Sequence, residues 1–353
     1  MKARLATLGE VAEFINGAAF KPSDWGDVGK KIIRIQNLTD SSKPYNKTTR
    51  SVNKKLNINY GDILVSWSAT LGVFVWTEKD EAVLNQHIFK VIHNSKIIDK
   101  NYLRHCLHQA LDAMAKHLHG ATMKHVNRGE FLATQIPLPP LAEQQRIAAL
   151  LDTADRILKQ RESAIAKMEN LIRSYFYEIV LKNSTTDQLF ELGSVVELKY
   201  GKSLPSQNRR DGEFNVYGSN GVVGSHIESI TSGETIIVGR KGSFGEINLS
   251  LDCCFPIDTT YYIDKSATKQ NIVWLRYALE TLKLNTLNKS AAVPGLNRED
   301  AYRQKIQLIN RNLQNDFEVR IRKIWSLIKT QNDFIHKHKR LIASLQHQSF
   351  AVN

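Results

Sequence analysis

Between residues 136 and 180 the chain reads IPLPPLAEQQRIAALLDTADRILKQRESAIAKMENLIRSYFYEIV, and its apolar positions keep a helical rhythm. Ile147, Ala154, Met168 and Tyr175 recur every seven residues, interrupted by Arg161. A second row runs through Leu150/Leu151, Ile157/Leu158, Ala164/Ile165 and Leu171/Ile172. Sustained over about four heptads and flanked by charge, this is the seam of a coiled coil. Pro137, Pro139 and Pro140 stand just before it, where proline ends a strand and starts a helix without losing a hydrogen bond. The pattern predicts a helix over 141–180, about 60 Å long at roughly 1.5 Å per residue. A rod with one greasy stripe needs a partner, and residues 313–350 supply it. Their seam runs through Ile321, Ile324, Ile328, Ile335, Ile342 and Leu345, with polar breaks at Gln331 and His338.

The rest of the pattern is a duplication. LGEVAEFING at 8–17 aligns with LGSVVELKYG at 192–201, an offset of 184. YGDILVS at 60–66 aligns with SGETIIV at 232–238, and Asn127-Arg128 before IPL aligns with Asn297-Arg298 before IQL. The offset shrinks to 172 and then 170, so the second copy has shorter loops in the same element order. Within the first copy, residues 31–36, 62–67, 71–76 and 87–92 read as short strands rich in β-branched residues, and 101–118 as a helix with Tyr102, Leu103, Cys106, Leu107, Ala110 and Met114 on one face. The second copy repeats this with strands at 235–238 and 260–263 and a helix over 272–284. The fold class is α+β: two duplicated domains, each a mainly β core with helices, and two long coiled-coil helices. The boundaries are 1–140, 141–183, 184–309 and 310–353.

Composition narrows the function. The 353 residues suffice for two domains with cores of their own. No run approaches the roughly 18 apolar residues of a membrane span, and residues 1–8 lack the apolar stretch of a secretory leader. Cys106, Cys253 and Cys254 form no metal spacing, which points to a reducing, cytoplasmic setting. The net charge of +13 calls for a polyanionic partner, most simply nucleic acid. That charge is uneven. Residues 1–140 carry 19 Lys and Arg against 12 Asp and Glu, and 310–353 carry 8 against 3. Residues 141–187 balance at 7 each and 188–309 stand at 14 against 13, so bulk charge speaks for the first domain and says little about the second.

Enzyme signatures are missing. Gly201-Lys202-Ser203 resembles the end of a phosphate-binding loop, but Val196 stands where its first glycine belongs. No HExxH, no strand-following GxGxxG and no nuclease carboxylate cluster is present, and His117, His119 and His125 read as exposed polar side chains. What stands out is a set of polar, glycine-rich loops at strand ends. In the second copy they hold Gln207, Asn208 and Arg209; Tyr217, Ser219 and Asn220; Arg240, Lys241 and Ser243; Thr259; and Asn297 and Arg298. In the first they hold Lys21; Arg34, Gln36 and Asn37; Ser66 and Ser68; Asn85 and Gln86; and Lys124 and Arg128. Glycine lets backbone approach a phosphate, Arg and Lys neutralise it, and Asn, Gln and Arg read base edges. Arg240, Lys241 and Ser243, in one glycine-bounded loop, are the strongest candidates. Each loop also reads as a tight turn with solvated side chains, Asn127 and Asn297 as helix caps, and Trp67 as core.

The paired LGE/LGS openings, YGSNG, GRKGSFG, DTTYY, AAVPGLNR and IPLPPLAEQQRIAALLDTAD, in this order along the whole chain, resemble the specificity subunit of a type I restriction–modification system. The resemblance implies two target recognition domains, each binding one half of a bipartite sequence in double-stranded DNA, and helices that pair antiparallel as a spacer. It implies no catalysis and no cofactor in this chain. Two modification subunits would bring S-adenosylmethionine, and restriction subunits would bring ATP and magnesium. One departure is that IQLINRNLQN replaces the proline-rich IPLPPL before the second helix, which predicts a later or bent start there. The competing readings are a coiled-coil protein–protein scaffold without base readout, which a DNA footprint of the assembled complex would discriminate, and a fused enzyme, which methyl transfer by the chain alone would reveal.

Overall fold

The computed structural model describes residues 4–117, 127–183, 188–287 and 295–350. It forms two compact units, Met1–Gln160 with Phe334–Asn353, and Arg161–Asp333. Each unit holds one copy of the repeat together with part of each long helix.

In the first unit the main sheet has the strand order Ala12–Asn16, Ile88–His93, Ile63–Ser66, Gly72–Val75, all antiparallel. Its central strand is buried on both faces, which explains the unbroken apolar run ILVS. Alternation then divides the strand. Ile63 and Val65 join the core beneath the helix Lys100–His117, while Leu64 packs with Ile33 and Trp76 on the other side. That other side is a second sheet, ordered Lys47–Thr48, Lys30–Ile33, Ala82–Leu84, Asn57–Ile58, with one parallel pair between Lys30–Ile33 and Ala82–Leu84. A two-stranded ribbon, Arg4–Thr7 against Gln135–Leu138, closes the domain.

The second unit repeats this plan, with one strand fewer in its second sheet among the described residues. Its main sheet is ordered Lys199–Tyr200, Thr260–Ile263, Thr235–Gly239, Ile247–Ser250. Its second sheet is Gly221–His226, Phe214–Gly218, Cys254–Pro256, again with one parallel pair. Its ribbon is Leu189–Glu191 against Lys305–Gln307. Ile236 and Val238 face the helix Ile272–Thr281, and Ile237 faces Tyr217 and Cys254. The aligned glycines show why both copies keep them. A Cβ on Gly17 would lie 2.0 Å from the Asn85 carbonyl oxygen, and one on Gly201 2.1 Å from that of Ile257.

The long helices run Leu141–Asn183 and Arg311–Phe350. Their pairing is antiparallel: in the first unit Ile147, Leu151 and Ala154 share a core with Ile342 and Phe350, and in the second Ile172 and Phe176 share one with Phe317 and Ile321. The predicted polar breaks answer each other, since Arg161 donates to Gln331 Oε1. His338 stacks on Phe334 of its own helix. A buried glutamine fixes each helix start to its domain. Gln144 accepts the Asp99 N–H (2.8 Å) and donates to the carbonyls of Ile97 (3.0 Å) and Pro139 (2.8 Å). Gln314 accepts the Asn271 N–H (3.0 Å) and donates to the Ile309 carbonyl (2.9 Å).

Four expectations about the elements change. The second long helix does not start late: Arg311 lies 170 residues after Leu141, because Asn310 accepts the Asn312 N–H (2.8 Å) and caps the helix without proline. The strand expected over 31–36 stops at Ile33 and a short helix, Ile35–Thr39, follows, since the Asn37 side chain captures the Arg34 N–H. The helix expected over 272–284 ends at Thr281, ahead of Lys283 in a left-handed conformation. Residues 217–221 form the end and turn of a hairpin rather than a free loop.

Candidate nucleic-acid interface

The loops singled out in the second copy meet at one end of its main sheet. Thr259 is the hub: its carbonyl accepts the N–H groups of Arg240 (2.9 Å) and Lys241 (3.1 Å) and the Ser219 hydroxyl (2.7 Å). Leu296 donates its N–H to the Arg240 carbonyl (2.9 Å), and Lys241 bridges to Gly295, so the segment before Asn297 is stitched to the same place. Glycine makes the loop possible. A Cβ on Gly239 would fall 2.1 Å from the Ser243 carbonyl oxygen, and Gly242 and Gly245 hold φ of +69° and +77°.

On this frame two guanidinium groups lie over one tyrosine ring. Arg240 lies 5.1 Å and Arg298 5.3 Å from the ring centroid of Tyr200, which is 49% exposed. Arg240 also contacts the Tyr261 ring (5.9 Å) and donates to the Asp258 carbonyl (2.9 Å), while Arg298 contacts the Tyr302 ring (5.8 Å). Tyr200 and Tyr261 pack edge to face at 5.1 Å. Burial, with a hydrogen bond and charge from Tyr200, pushes the Tyr261 phenol up to about 12 against the pull of the two arginines. It therefore stays protonated and donates to the Leu296 carbonyl (3.2 Å).

The first unit builds a sparser version. Trp67 stacks on Phe89 (5.6 Å) and donates Nε1 to Asn16 Oδ1 (3.3 Å), the residue aligned with Tyr200. Arg128, aligned with Arg298, lies 5.8 Å from the Phe89 ring and reaches the Phe14 carbonyl (3.3 Å). Gln86 donates its N–H to the Ala18 carbonyl and Asn85 to that of Ile33, which draws the loops after Gly17, before Ile88 and around Arg34 together. Arg34 lies over the Trp25 ring at 5.2 Å. Lys21 and Gln36 are exposed, and Asn85 is partly so.

Several candidates serve the scaffold instead. Asn37 is buried, with its amide donating to the carbonyls of Lys43 and Pro44. Ser66 and Ser68 are buried, and the Ser66 hydroxyl bonds the Thr70 carbonyl (2.7 Å). Tyr217 is core, Ser219 is buried on Thr259, and Arg209 ties its loop to the Val223 carbonyl (2.8 Å). Asn297 caps the helix Arg298–Tyr302 through the N–H groups of Glu299 and Asp300, as Asn127 caps Arg128–Ala133. Gln207, Asn208, Asn220, Lys241 and Ser243 are exposed. Lys124 lies outside the described residues, as do residues 288–294 of the AAVPG segment. Sequence reading missed Tyr200, Tyr261 and Tyr302, because a lone tyrosine near a strand end gives no signal until the arginines are seen around it. Among the described residues no group of His, Cys, Asp and Glu is placed to hold a metal, and no helix is long and apolar enough to cross a membrane.

The fold is similar to that of a solved type I S subunit. The S subunit of the type I restriction-modification system from M. genitalium matches 100% of this chain with 97% of its own length, at a TM-score of 0.66 and 17% identity. Residues 4–167 match the family described as type I restriction modification DNA specificity domain. The type I restriction enzyme EcoBI specificity subunit of Escherichia coli is 29% identical over 191 residues, 52% of this chain and 38% of that protein. The MjaVIII specificity subunit of Methanocaldococcus jannaschii is 26% identical over 197 residues, 53% of this chain and 46% of that one. The matched stretch spans less than half the length of either relative.

Proposed function

We propose that this chain is the DNA-recognition subunit of a type I restriction–modification complex, each globular domain contacting one half of a bipartite target. The observation that carries the reading is the recurrence, in both copies and at aligned positions, of an arginine lying over an aromatic ring at the loop end of the main sheet. Guanidinium and aromatic faces offer charge, planar donors and stacking surface together, which is what DNA contact uses. The specificity domain at residues 4–167 supports the same reading. Exposed Lys241 and Arg128 suit phosphates. The chain performs no chemistry. Two modification subunits dock on the helix pair and bind S-adenosylmethionine, restriction subunits supply ATP- and magnesium-dependent cleavage, and the complex works in the cytoplasm.

Methylation mapping in a host carrying this chain with its modification subunit tests this, and the expected product is a two-part motif with a fixed gap. Adding one heptad to both long helices lengthens each by about 10 Å. The gap then grows by roughly three base pairs, at about 3.4 Å each, while both half-sites stay unchanged. Altered half-sites with an unchanged gap would refute the spacer role, and the absence of any bipartite motif would refute the function.

A further inference from the structure

The second unit's arginine pair does more than supply charge. Every polar backbone group of Arg240 is engaged, its N–H to Thr259 and its carbonyl from Leu296, so the residue cannot slide. Its guanidinium is fixed by two tyrosine faces and one carbonyl bond. Arg298 also lies over the Tyr200 ring and over that of Tyr302, and its Nε, 3.8 Å from the Glu299 carboxylate, makes no hydrogen bond among the described residues. Exposed lysines such as Lys202 and Lys241 already offer positive charge to phosphates. Immobilising an arginine costs rotamer entropy. In return it holds a planar pair of donors in one orientation, as a planar pair of acceptors requires. In DNA such a pair is the O6/N7 edge of guanine in the major groove.

We infer that the half-site contacted by residues 188–309 contains a guanine read on its O6/N7 edge by Arg240, with Tyr200 as the positioning residue that sets the plane of the guanidinium. The inference rests on the DNA-recognition reading above. It adds the base and the groove. The first unit fills these places differently: Asn16 stands at the Tyr200 position and accepts the Trp67 Nε1–H, and Arg128 lies over the Phe89 ring.

The test uses the complete complex of this chain with its modification subunits and duplexes carrying the mapped target. Each guanine of the half-site is replaced in turn by 7-deazaguanine, which removes N7 but keeps pairing and backbone. At one position wild-type affinity falls about tenfold, as the guanidinium loses one of its two acceptors. Arg240→Ala binds the parent duplex about tenfold more weakly and is indifferent to the replacement. Tyr200→Phe keeps the response and Tyr200→Ala loses it. If no guanine responds, or if Arg240→Ala still does, the assignment is wrong. A uniform loss in Arg240→Ala on every duplex, with a shallower salt dependence, makes the contact a phosphate and overturns it too. Specific over scrambled binding by the wild type, measured alongside, separates failure of this assignment from failure of DNA recognition itself.

Discussion

Position for position, the two copies share a frame and differ in what fills it. Where the second unit sets two arginines over Tyr200 the first has Asn16 bonded to a tryptophan N–H, and where the second long helix buries Phe317 the first buries Ile147. Strand order, the parallel pair in the second sheet, the closing ribbon and the buried glutamine are common to both. Backbone geometry and satisfied buried polar groups resist change because each error leaves a group without a partner. Side chains above the frame can diverge without that cost.

The comparison breaks most visibly at the filling. Phe317 is fully buried among Phe176, Tyr277 and Tyr175, so Phe317→Ala destabilises its unit by about 3–5 kcal/mol. Its counterpart Ile147→Ala costs the first unit about 2–4 kcal/mol. Hydrogen exchange resolved by unit checks both, and equal losses would mean that the aromatic cluster adds nothing. The frame should behave the opposite way. Gln144→Leu and Gln314→Leu each leave a buried N–H and carbonyl unpaired, at about 1–3 kcal/mol per group, and the two losses should be equal and each confined to its own unit. A loss on one side only would show that one clamp is ornamental.

The smallest difference is in acid. In the first unit burial holds the imidazoles of His93, His105 and His108 below their ordinary 6.5. As pH falls the unfolded chain takes up those protons first, so stability present above 6.5 is lost below it. In the second unit burial raises Asp264 and Glu318. Hydrogen bonds from Ser266 and Lys199 to Asp264, and from Asn271 and Arg322 to Glu318, outweigh it and hold both carboxyls below their ordinary 3.8 and 4.5. Their contribution survives until pH falls through those values. Between pH 7.5 and 5.5 the first unit should loosen and the second should not. Parallel loosening would assign the effect to something the units share.

Periodicity made most of the fold legible. The heptads located both long helices, and β-branched runs located Ile63–Ser66 and Thr260–Ile263 to within a residue or two. Legibility failed where one side chain overrules a pattern. Asn310 starts a helix that the missing prolines seemed to delay, and Asn37 bends a strand-like run into a turn of helix. At the interface, loop composition found Arg240 and Arg298 but could not separate exposed Lys241 from buried Ser219, since glycine-rich polar loops present and bury such groups alike. The tyrosines were invisible because stacking is a property of three residues far apart in sequence.

The closing ribbons carry a last consequence. Arg4–Thr7 lies against Gln135–Leu138, and Leu189–Glu191 against Lys305–Gln307, so each domain enters and leaves through one neck. Whatever lies beyond the neck can lengthen or shorten without disturbing the helix that follows. The second copy has done so: it lost 14 residues between its opening and its neck, yet Arg311 and Gln314 keep the same interval from Leu141 and Gln144. A lineage can therefore rewrite what the chain recognises by trial in the loops, while its helices stay in step.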